Sequence, residues 1–246
     1  MHNLPIYVGC AGWSIPGQFA DQFPAGGSHL ERYARRFPAV EINSSFYRSH
    51  RPATYARWGA SGPPGFRFAV KLPREITHTG RLKDPAPLDG FLVETGELGE
   101  KLGPWLVQLP PRLPFDPQVA GAFFAALRER FGGEVVCEPR HPTWFAPEAE
   151  QMLAGFRVAR AAADPAPHPL AAEPGAWNGL VYYRLHGSPR MYYSDYPPEY
   201  LDALAKKLLD AAQRTPAVWC IFDNTAEGNA TANALALLER LASPTT

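Results

Sequence analysis

Eight short runs of apolar, β-branched and aromatic residues alternate with helix-like segments along this 246-residue chain. The runs are IYVGCAG, AVEINSSF, FRFAVKLP, WLVQLPP, EVVCEPR, FRVARAAA, LVYYRLHG and AVWCIFDN. Their lengths, their composition and the Gly or Pro residues that flank them predict strands. Strands that alternate with helices indicate βαβ units and a parallel sheet. Eight such units in about 250 residues is the count of a (β/α)₈ barrel, so the prediction is one α/β, TIM-barrel-like domain over residues 1–246.

The main alternative is an open, doubly wound sheet. The glycines of VGCAGWS lack the GxGxxG spacing expected after its first strand, and no GxxxxGK[ST] motif occurs in the chain. The sixth unit is the weakest part of the barrel prediction, because RVARAAADPAPHPLAAEPGAWNG is rich in Pro and Ala and has little helical pattern. We therefore predict an irregular or incomplete sixth βα unit.

Charge and cysteine content exclude several classes of protein. Lys plus Arg equal Asp plus Glu at 24 each, so no chain-wide basic field is available to bind nucleic acid or a membrane. Cys10, Cys137 and Cys220 lie far apart in apolar runs, which favours free, buried thiols in a reducing compartment. No signal peptide is recognisable and no apolar run has the length of a membrane span. We expect a soluble cytoplasmic protein without a membrane partner.

Polar residues lie at the ends of the predicted strands. Alternate residues of a barrel strand point inward, and the chemistry of such barrels is found where the strands end. The candidate catalytic residues on this basis are Glu41, Lys71, Glu138 and His186. The candidate substrate-binding residues are Trp13, Asn43, Tyr47, Gln108, Arg140, His141, Arg184, Tyr192, Asp223 and Asn224.

Several motifs resemble one protein family over nearly the whole chain. They are VGCAGWS, EINSSFYR, FAVKLPREITH, WLVQLPP, CEPRHPTW, YYRLHG and FDNTAEGNATANAL, and in this order they resemble the YecE-like family, domain of unknown function 72. The resemblance implies a TIM-barrel-like fold but no particular activity. Where the family pattern leads us to expect two asparagines after the last strand, this chain has Asp223 and Asn224, which adds a carboxylate.

The acidic residues allow two interpretations. Glu41 and Glu138 could form a general acid/base pair. They could instead be counter-ions for Lys71, Arg140 and Arg184, since charges inside a barrel must be paired.

Lys71 has three possible roles. It could bind an anion, form a Schiff base with a carbonyl substrate, or neutralise Glu41. A Schiff-base lysine needs a depressed pKa. Because carboxylates are predicted nearby and favour the ammonium form, anion binding or pairing is preferred at this stage.

A metal site is not predicted, and neither is any other cofactor. His141 and His186 are of the type that joins carboxylates around zinc or manganese, but the chain has no HxH or HExxH spacing and places two arginines and a lysine close by.

The Tyr- and Pro-rich segment HGSPRMYYSDYPPEY is either a lid that stacks Tyr192 or Tyr196 on a ligand or a loop that tyrosines anchor to the rim.

The preferred function is an enzyme for a small anionic substrate. Arg140, Arg184 and Lys71 would clamp a phosphate or carboxylate, while Glu41, Glu138 and His186 handle protons. Hydrolysis of a phosphoester, including one in nucleic acid, is the most specific form of this hypothesis. The alternatives are a module that binds a nucleotide or nucleic-acid end without turnover, and a structural protein whose charged residues only pair with one another.

Overall fold

The computed structural model describes residues 6–242. The strands are β1 (Ile6–Cys10), β2 (Ala39–Ile42), β3 (Arg67–Lys71), β4 (Leu102–Gln108), β5 (Val135–Glu138), β6 (Val158–Arg160), β7 (Ala162–Asp164), β8 (Gly175–Ala176), β9 (Val181–Leu185) and β10 (Val218–Phe222). The α-helices are α1 (His29–Ala34), α2 (Pro52–Ser61), α3 (Pro87–Gly96), α4 (Pro117–Arg130), α5 (Pro147–Gly155), α6 (Pro198–Ala212) and α7 (Asn229–Ala242).

Short polar side chains and prolines fix where the helices begin. Ser28 and Glu31 form a capping box at α1, in which each side chain accepts a hydrogen bond from the backbone N–H of the other residue. Asp116 caps α4 by accepting from the backbone N–H groups of Gln118 and Val119. Proline occupies the first turn of α2 through α6, where its missing N–H costs no helical hydrogen bond.

The strands form two sheets in which the described pairs are parallel, except that of β6 with β8, and the sheets adjoin at two junctions. One sheet has the order β1-β10-β9-β7 and the other the order β2-β3-β4-β5-β6-β8. At one junction Ala11 bridges Glu41 in parallel, and Gly9 permits the close approach, because a Cβ there would lie 2.1 Å from the carbonyl oxygen of Ala39. At the other junction only Ala161 separates β6, which pairs with β5, from β7, which pairs with β9. The predicted α/β, TIM-barrel-like fold class is confirmed.

The sixth βα unit is irregular, as the sequence predicts. Among the described residues no α-helix lies between β7 and β9; the chain forms a 3₁₀ turn at Pro169–Ala172 and then β8, the one strand that pairs antiparallel, with β6. Arg160 stabilises this segment, because its Nη1 donates hydrogen bonds to the carbonyl oxygens of Leu170 and Glu173. A cavity of about 180 Å³ lies beside it, between β7, β9 and α6.

Two apolar layers surround the strands. The inner layer is buried and consists of Ala39, Ala69, Leu106, Val136, Ala159, Ala161, Leu180, Tyr182, Ala217, Trp219 and Ile221. The outer layer, between strands and helices, is larger and includes the three cysteines, which are free and buried as predicted. Within residues 6–242 every helix is too short or too polar to cross a membrane.

Candidate functional site

The strand register places charged side chains directly above the inner apolar layer. In β2, β3 and β5 the alternation of a strand puts Glu41, Lys71 and Glu138 on the same face as the inner-layer residue two positions earlier. Gln108 lies opposite Glu138 in the pairing of β4 with β5. The ends of at least four neighbouring strands therefore point polar groups at one mouth.

Arg184 is the centre of the site and binds three carboxylates. Its Nε and Nη2 donate to the two oxygens of Glu41 at 2.9 and 2.6 Å. Its Nη1 donates to Glu138 Oε2 at 2.9 Å, and Nη2 also reaches Asp223 Oδ2 at 3.1 Å. The side chain is 1% exposed, and these anions hold its pKa well above the usual value although burial alone would lower it. Arg184 thus holds three carboxylates together through four of its five N–H donors, and its predicted role as a clamp for substrate stays a prediction.

Glu41 is completely buried and fully engaged. Besides the two bonds from Arg184, it accepts a hydrogen bond from the hydroxyl of Tyr182 at 2.8 Å. Burial, and then the charge of Glu41, raise the pKa of Tyr182 well above its usual value, so this hydroxyl remains a donor. The geometry favours a counter-ion role for Glu41 over the predicted proton transfer. Tyr182 is not among the site residues that the sequence predicts.

Glu138 is bound by three cationic side chains. Its Oε1 accepts from Nε and Nη2 of Arg140 at 3.1 and 2.9 Å and lies 3.2 Å from Nε2 of His186, while Oε2 accepts from Arg184. Burial would favour the protonated acid, but the charges of Arg184, His186 and Arg140 hold the pKa of Glu138 well below its usual value. Glu138 is therefore an anion in this state, and it is not available as a proton donor.

His186 lies between Glu138 and Asp223 and is 1% exposed. Its Nδ1 is 3.0 Å from Asp223 Oδ2. Burial alone would lower the pKa of His186, but the charge of Glu138 and the hydrogen bonds with Asp223 and Glu138 raise it. Asp223 shows the complementary effect: burial is outweighed by Arg184 and His186, which lower its pKa. The arrangement favours an imidazolium that is held by two carboxylates.

Lys71 differs from the other cations because no ion pair involves it among residues 6–242. Its Nζ lies 4.3 Å from the centroid of the Phe46 ring. Burial, followed by the charge of Arg184, lowers its pKa to about 8 against the opposing effect of the carboxylates. The nearby carboxylates do favour the ammonium form, as the sequence predicts, but burial and then Arg184 outweigh them.

His78 lies close to the same Phe46 ring as Lys71. Burial, and then the charges of Lys71, Arg140 and Arg74, lower the pKa of His78 to about 4. The His78 ring lies edge-on to Phe46 at 4.8 Å, and its Nδ1 is 2.9 Å from the hydroxyl of Thr77. Phe46 was missed by the sequence analysis, since the only available signal was its place in the loop that follows β2.

Other predicted binding residues lie around this cluster. Asn43 begins a 3₁₀ turn, and its side-chain oxygen is buried without a hydrogen-bond partner among the described residues. Gln108 is 7% exposed and donates to the carbonyl oxygen of Leu109. Trp13 packs edge-on against Trp58 at 5.1 Å. Tyr47 is 75% exposed and lies edge-on to Phe46 at 5.0 Å.

Two predicted residues turn away from the cluster and serve local structure. Nδ1 of His141 accepts from the backbone N–H of Thr143 and caps the 3₁₀ turn at Pro142–Phe145. Asn224 is buried and donates to the carbonyl oxygen of Ser194 and to the side chain of Asn233. Both side chains thus take part in local hydrogen bonds, and a contact of either with a substrate stays a prediction.

The loop after β9 combines an anchor and an exposed ring. Tyr196 is buried, donates to Asp164 at 2.7 Å and accepts from the N–H of Gly187, so it anchors the loop. Tyr192 is 42% exposed, has a φ of 70°, and lies edge-on to His186 with 6.0 Å between the ring centroids. A non-glycine residue in this region of backbone conformation is uncommon. The anchored-loop interpretation applies to Tyr196, and Tyr192 remains a candidate contact for a ligand.

The charged cluster has few features of a metal site. Within the described part of the chain, no group of three or more His, Cys, Asp or Glu side chains is arranged to hold a metal ion. The carboxylates of Glu41, Glu138 and Asp223 are instead bound to Arg184.

Fold and site together define a TIM-barrel-like α/β protein with a charged mouth. The family described as "Protein of unknown function DUF72" matches residues 7–246, and the chain belongs to that family. Among curated relatives, UPF0759 protein YecE of Escherichia coli is 35% identical over 153 residues, which is 60% of this chain and 53% of YecE. The matched stretch thus spans about half the length of that relative. UPF0759 protein YunF of Bacillus subtilis is 25% identical over 272 residues, covering 96% of this chain and 94% of YunF.

Solved structures of two family members share the fold. A DUF72 family protein of Enterococcus faecalis superposes with a TM-score of 0.81 at 21% identity, covering 98% of this chain and 97% of its own. A DUF72 family protein of Thermotoga maritima gives a TM-score of 0.79 at 24% identity, covering 97% of this chain and 99% of its own. At these identities the likeness concerns the fold.

Proposed function

We propose that this protein is an enzyme that binds a small phosphate- or carboxylate-bearing substrate at the barrel mouth and acts on it by general acid/base chemistry. The observation that carries the proposal is the imbalance between engaged anions and free cations. Glu41, Glu138 and Asp223 are all bound to Arg184, whereas Lys71 has no ion pair among residues 6–242.

The charges of the cluster support an anion as the missing partner. Three carboxylates face the guanidinium groups of Arg184 and Arg140, the ammonium group of Lys71 and the imidazolium of His186, so positive charges exceed negative ones by four to three. Arg140 is 17% exposed at its side chain and uses only Nε and Nη2 towards Glu138. Its remaining Nη1 and the Lys71 amine would be the first donors that an incoming anion meets.

The proton-transfer roles follow from the pKa directions. His186, whose pKa is raised, would act as the acid, and Asp223 would orient it through Nδ1. With a pKa lowered to about 8, the ammonium form of Lys71 would attract the anion, and its neutral fraction would act as the base. Hydrolysis of a phosphoester, in a small molecule or at a nucleic-acid end, is one reaction that this acid and base would serve. Glu41 and Glu138 would position Arg184 and Arg140.

A non-catalytic role, in which the mouth holds a nucleotide or a nucleic-acid end, uses the same cations without turnover. We further propose that the chain works in the cytoplasm as one domain, since its free thiols are buried and suit a reducing compartment.

Thermal melts with inorganic phosphate and a phosphoester turnover panel test the proposal. A ligand that binds only the folded state at ten times its Kd stabilises it by about 1.4 kcal/mol. Phosphate should therefore raise the Tm of the parent protein, and Lys71→Met and Arg140→Gln should each reduce that shift.

The matched control for Lys71→Met is Lys206→Met, because Lys206 is exposed on α6, away from the mouth. It should respond to phosphate as the parent does. An equal response of all variants, or none in the parent at high phosphate, would overturn the anion site. Phosphate binding without turnover of any phosphoester or carboxylate ester would leave the binding-module alternative.

A further inference from the structure

We propose that Lys71 is a nucleophilic amine that forms a Schiff base with the carbonyl carbon of a substrate that also carries a phosphate or carboxylate group. This inference rests on the proposed anion site and adds a covalent step there, with a specific class of substrate. It begins with the fact that the one lysine of the mouth is the one cation of the cluster without a carboxylate partner among residues 6–242.

The backbone holds Lys71 in place while leaving its amine free. The residue ends β3, and its carbonyl oxygen accepts a hydrogen bond of 2.7 Å from the hydroxyl of Ser45. Ser45 also donates to the carbonyl oxygen of Ile42, so the ends of β2 and β3 are tied together. The same turn presents Phe46, whose ring face lies 4.3 Å from Lys71 Nζ. The amine therefore lies against an apolar ring, and the backbone of Lys71 is held by a hydrogen bond. Both favour a defined direction of attack on a bound carbonyl group.

Burial, and then the charge of Arg184, lower the pKa of Lys71 to about 8, so that a fraction of the amine is neutral near neutral pH. Arg184 binds the three carboxylates of the cluster, and its charge acts against the ammonium form while those carboxylates act for it. Burial beside a second cation is the way in which a lysine becomes nucleophilic. An ordinary exposed lysine, with a pKa near 10.4, would be almost entirely protonated under the same conditions.

The cations near Lys71 indicate which carbonyl compounds fit. His78 and Lys71 both lie against the Phe46 ring, and the charges of Lys71, Arg140 and Arg74 all lower the pKa of His78. A guanidinium group matches a carboxylate or phosphate, and it has no comparable preference for a neutral ketone. An α-oxo acid or a phosphorylated ketone would place its anion against Arg140 and its carbonyl group against the amine.

The chemical step balances without a cofactor. The nitrogen of neutral Lys71 adds to the carbonyl carbon, and the electron pair of the C=O bond moves to oxygen. Both protons of the amine leave with that oxygen as water while the C=N bond forms. The resulting imine withdraws electrons from the neighbouring carbon, which favours loss of a proton or cleavage of a carbon–carbon bond there.

Reductive trapping with two ketones tests the inference. The protein is incubated at pH 7.5 with pyruvate or dihydroxyacetone phosphate and sodium cyanoborohydride, and the product is analysed by intact mass and peptide mapping. The expected product carries one ketone less one oxygen atom, at Lys71, and forms at least tenfold faster than any adduct on the other lysines. The pyruvate and dihydroxyacetone phosphate arms distinguish a carboxylate from a phosphate as the recognised anion, and acetone serves as the neutral probe.

Variants and competition separate this inference from the proposed function. Lys71→Met should lose the adduct, whereas Lys206→Met should keep it, and the rate for the parent should reach half its maximum near pH 8. Adducts that spread evenly over the lysines of the wild-type protein, or none at all, would refute a nucleophilic Lys71 without reference to any variant. Phosphate binding in the absence of an adduct refutes this inference alone. An adduct at Lys71 that forms equally fast with acetone, without phosphate binding, refutes the anion site.

Discussion

Replacing Glu138 with glutamine should destabilise the protein more than its single lost charge suggests. The carboxylate accepts from Arg140 at one oxygen and from Arg184 at the other. A glutamine amide must place its NH₂ group against one of these two donors, whichever way it is turned. Removal of one partner from a buried ion pair costs about 3–5 kcal/mol. For a chain of this size the corresponding fall in Tm is roughly 6–20 °C.

The same substitution at the other end of β5 provides the control. Glu134 lies 3.8 Å from Arg67, both side chains are 28% exposed, and burial raises the pKa of Glu134, so its charged form is less strongly held. Glu134→Gln should cost less than about 1 kcal/mol. Differential scanning calorimetry of both variants, with and without phosphate, decides the matter. The reasoning is refuted if Glu138→Gln melts within about 2 °C of Glu134→Gln and phosphate does not restore any stability. The ion pairs of Glu138 would then not stabilise the folded protein.

Three other substitutions test single links of the network. Arg184→Lys should lower stability by about 3 kcal/mol or more, because one ammonium cannot reproduce four hydrogen bonds to three carboxylates. A urea midpoint equal to that of the parent would contradict this expectation. Tyr182→Phe removes the hydroxyl that donates to Glu41 and should cost about 1 kcal/mol in urea unfolding. The adjacent Tyr183→Phe should cost less, since its hydroxyl makes no hydrogen bond within the described residues. His186→Gln tests pH dependence: because the folded-state pKa of His186 is raised, its stabilisation is complete below the unfolded value of about 6.5 and is lost as the pH rises through the folded value. The difference in Tm between parent and variant should therefore shrink from pH 6 to pH 9, and a constant difference would show that the imidazolium contributes nothing.

The strands and the inward faces could be predicted because each depends on a short-range pattern. A period of two places Glu138 on the face of Val136 whatever the rest of the chain does. The irregular sixth unit was predictable for a similar reason, since its prolines remove the N–H groups that a helix needs. The strand β8 was not predicted, because two residues of Gly and Ala carry no periodic signal.

The partner of each charge could not be predicted in the same way. Sequence reasoning paired arginines with glutamates in general, but it could not show that one guanidinium reaches Glu41, Glu138 and Asp223 from a single position. That outcome depends on the distances between strands far apart in sequence and on the reach of Arg184 across the mouth. The lowered pKa of Lys71 could not be predicted for a related reason, because it depends on how far the fold buries the amine and on its distance from Arg184.

The same geometry explains why a costly buried network and an unpaired lysine occur together. A guanidinium has enough donors to satisfy several carboxylates at once, whereas an ammonium group cannot match two planar oxygen pairs. Because the three carboxylates form their ion pairs with Arg184, the amine of Lys71 has no ion pair among residues 6–242 and lies against the ring of Phe46. If stability alone had shaped the mouth, an apolar residue in place of Lys71 would pack on Phe46 without the desolvation cost of a charge. A Lys71→Met protein that is at least as stable as the parent, yet no longer binds phosphate, would show that the lysine is present for binding or chemistry and not for the fold.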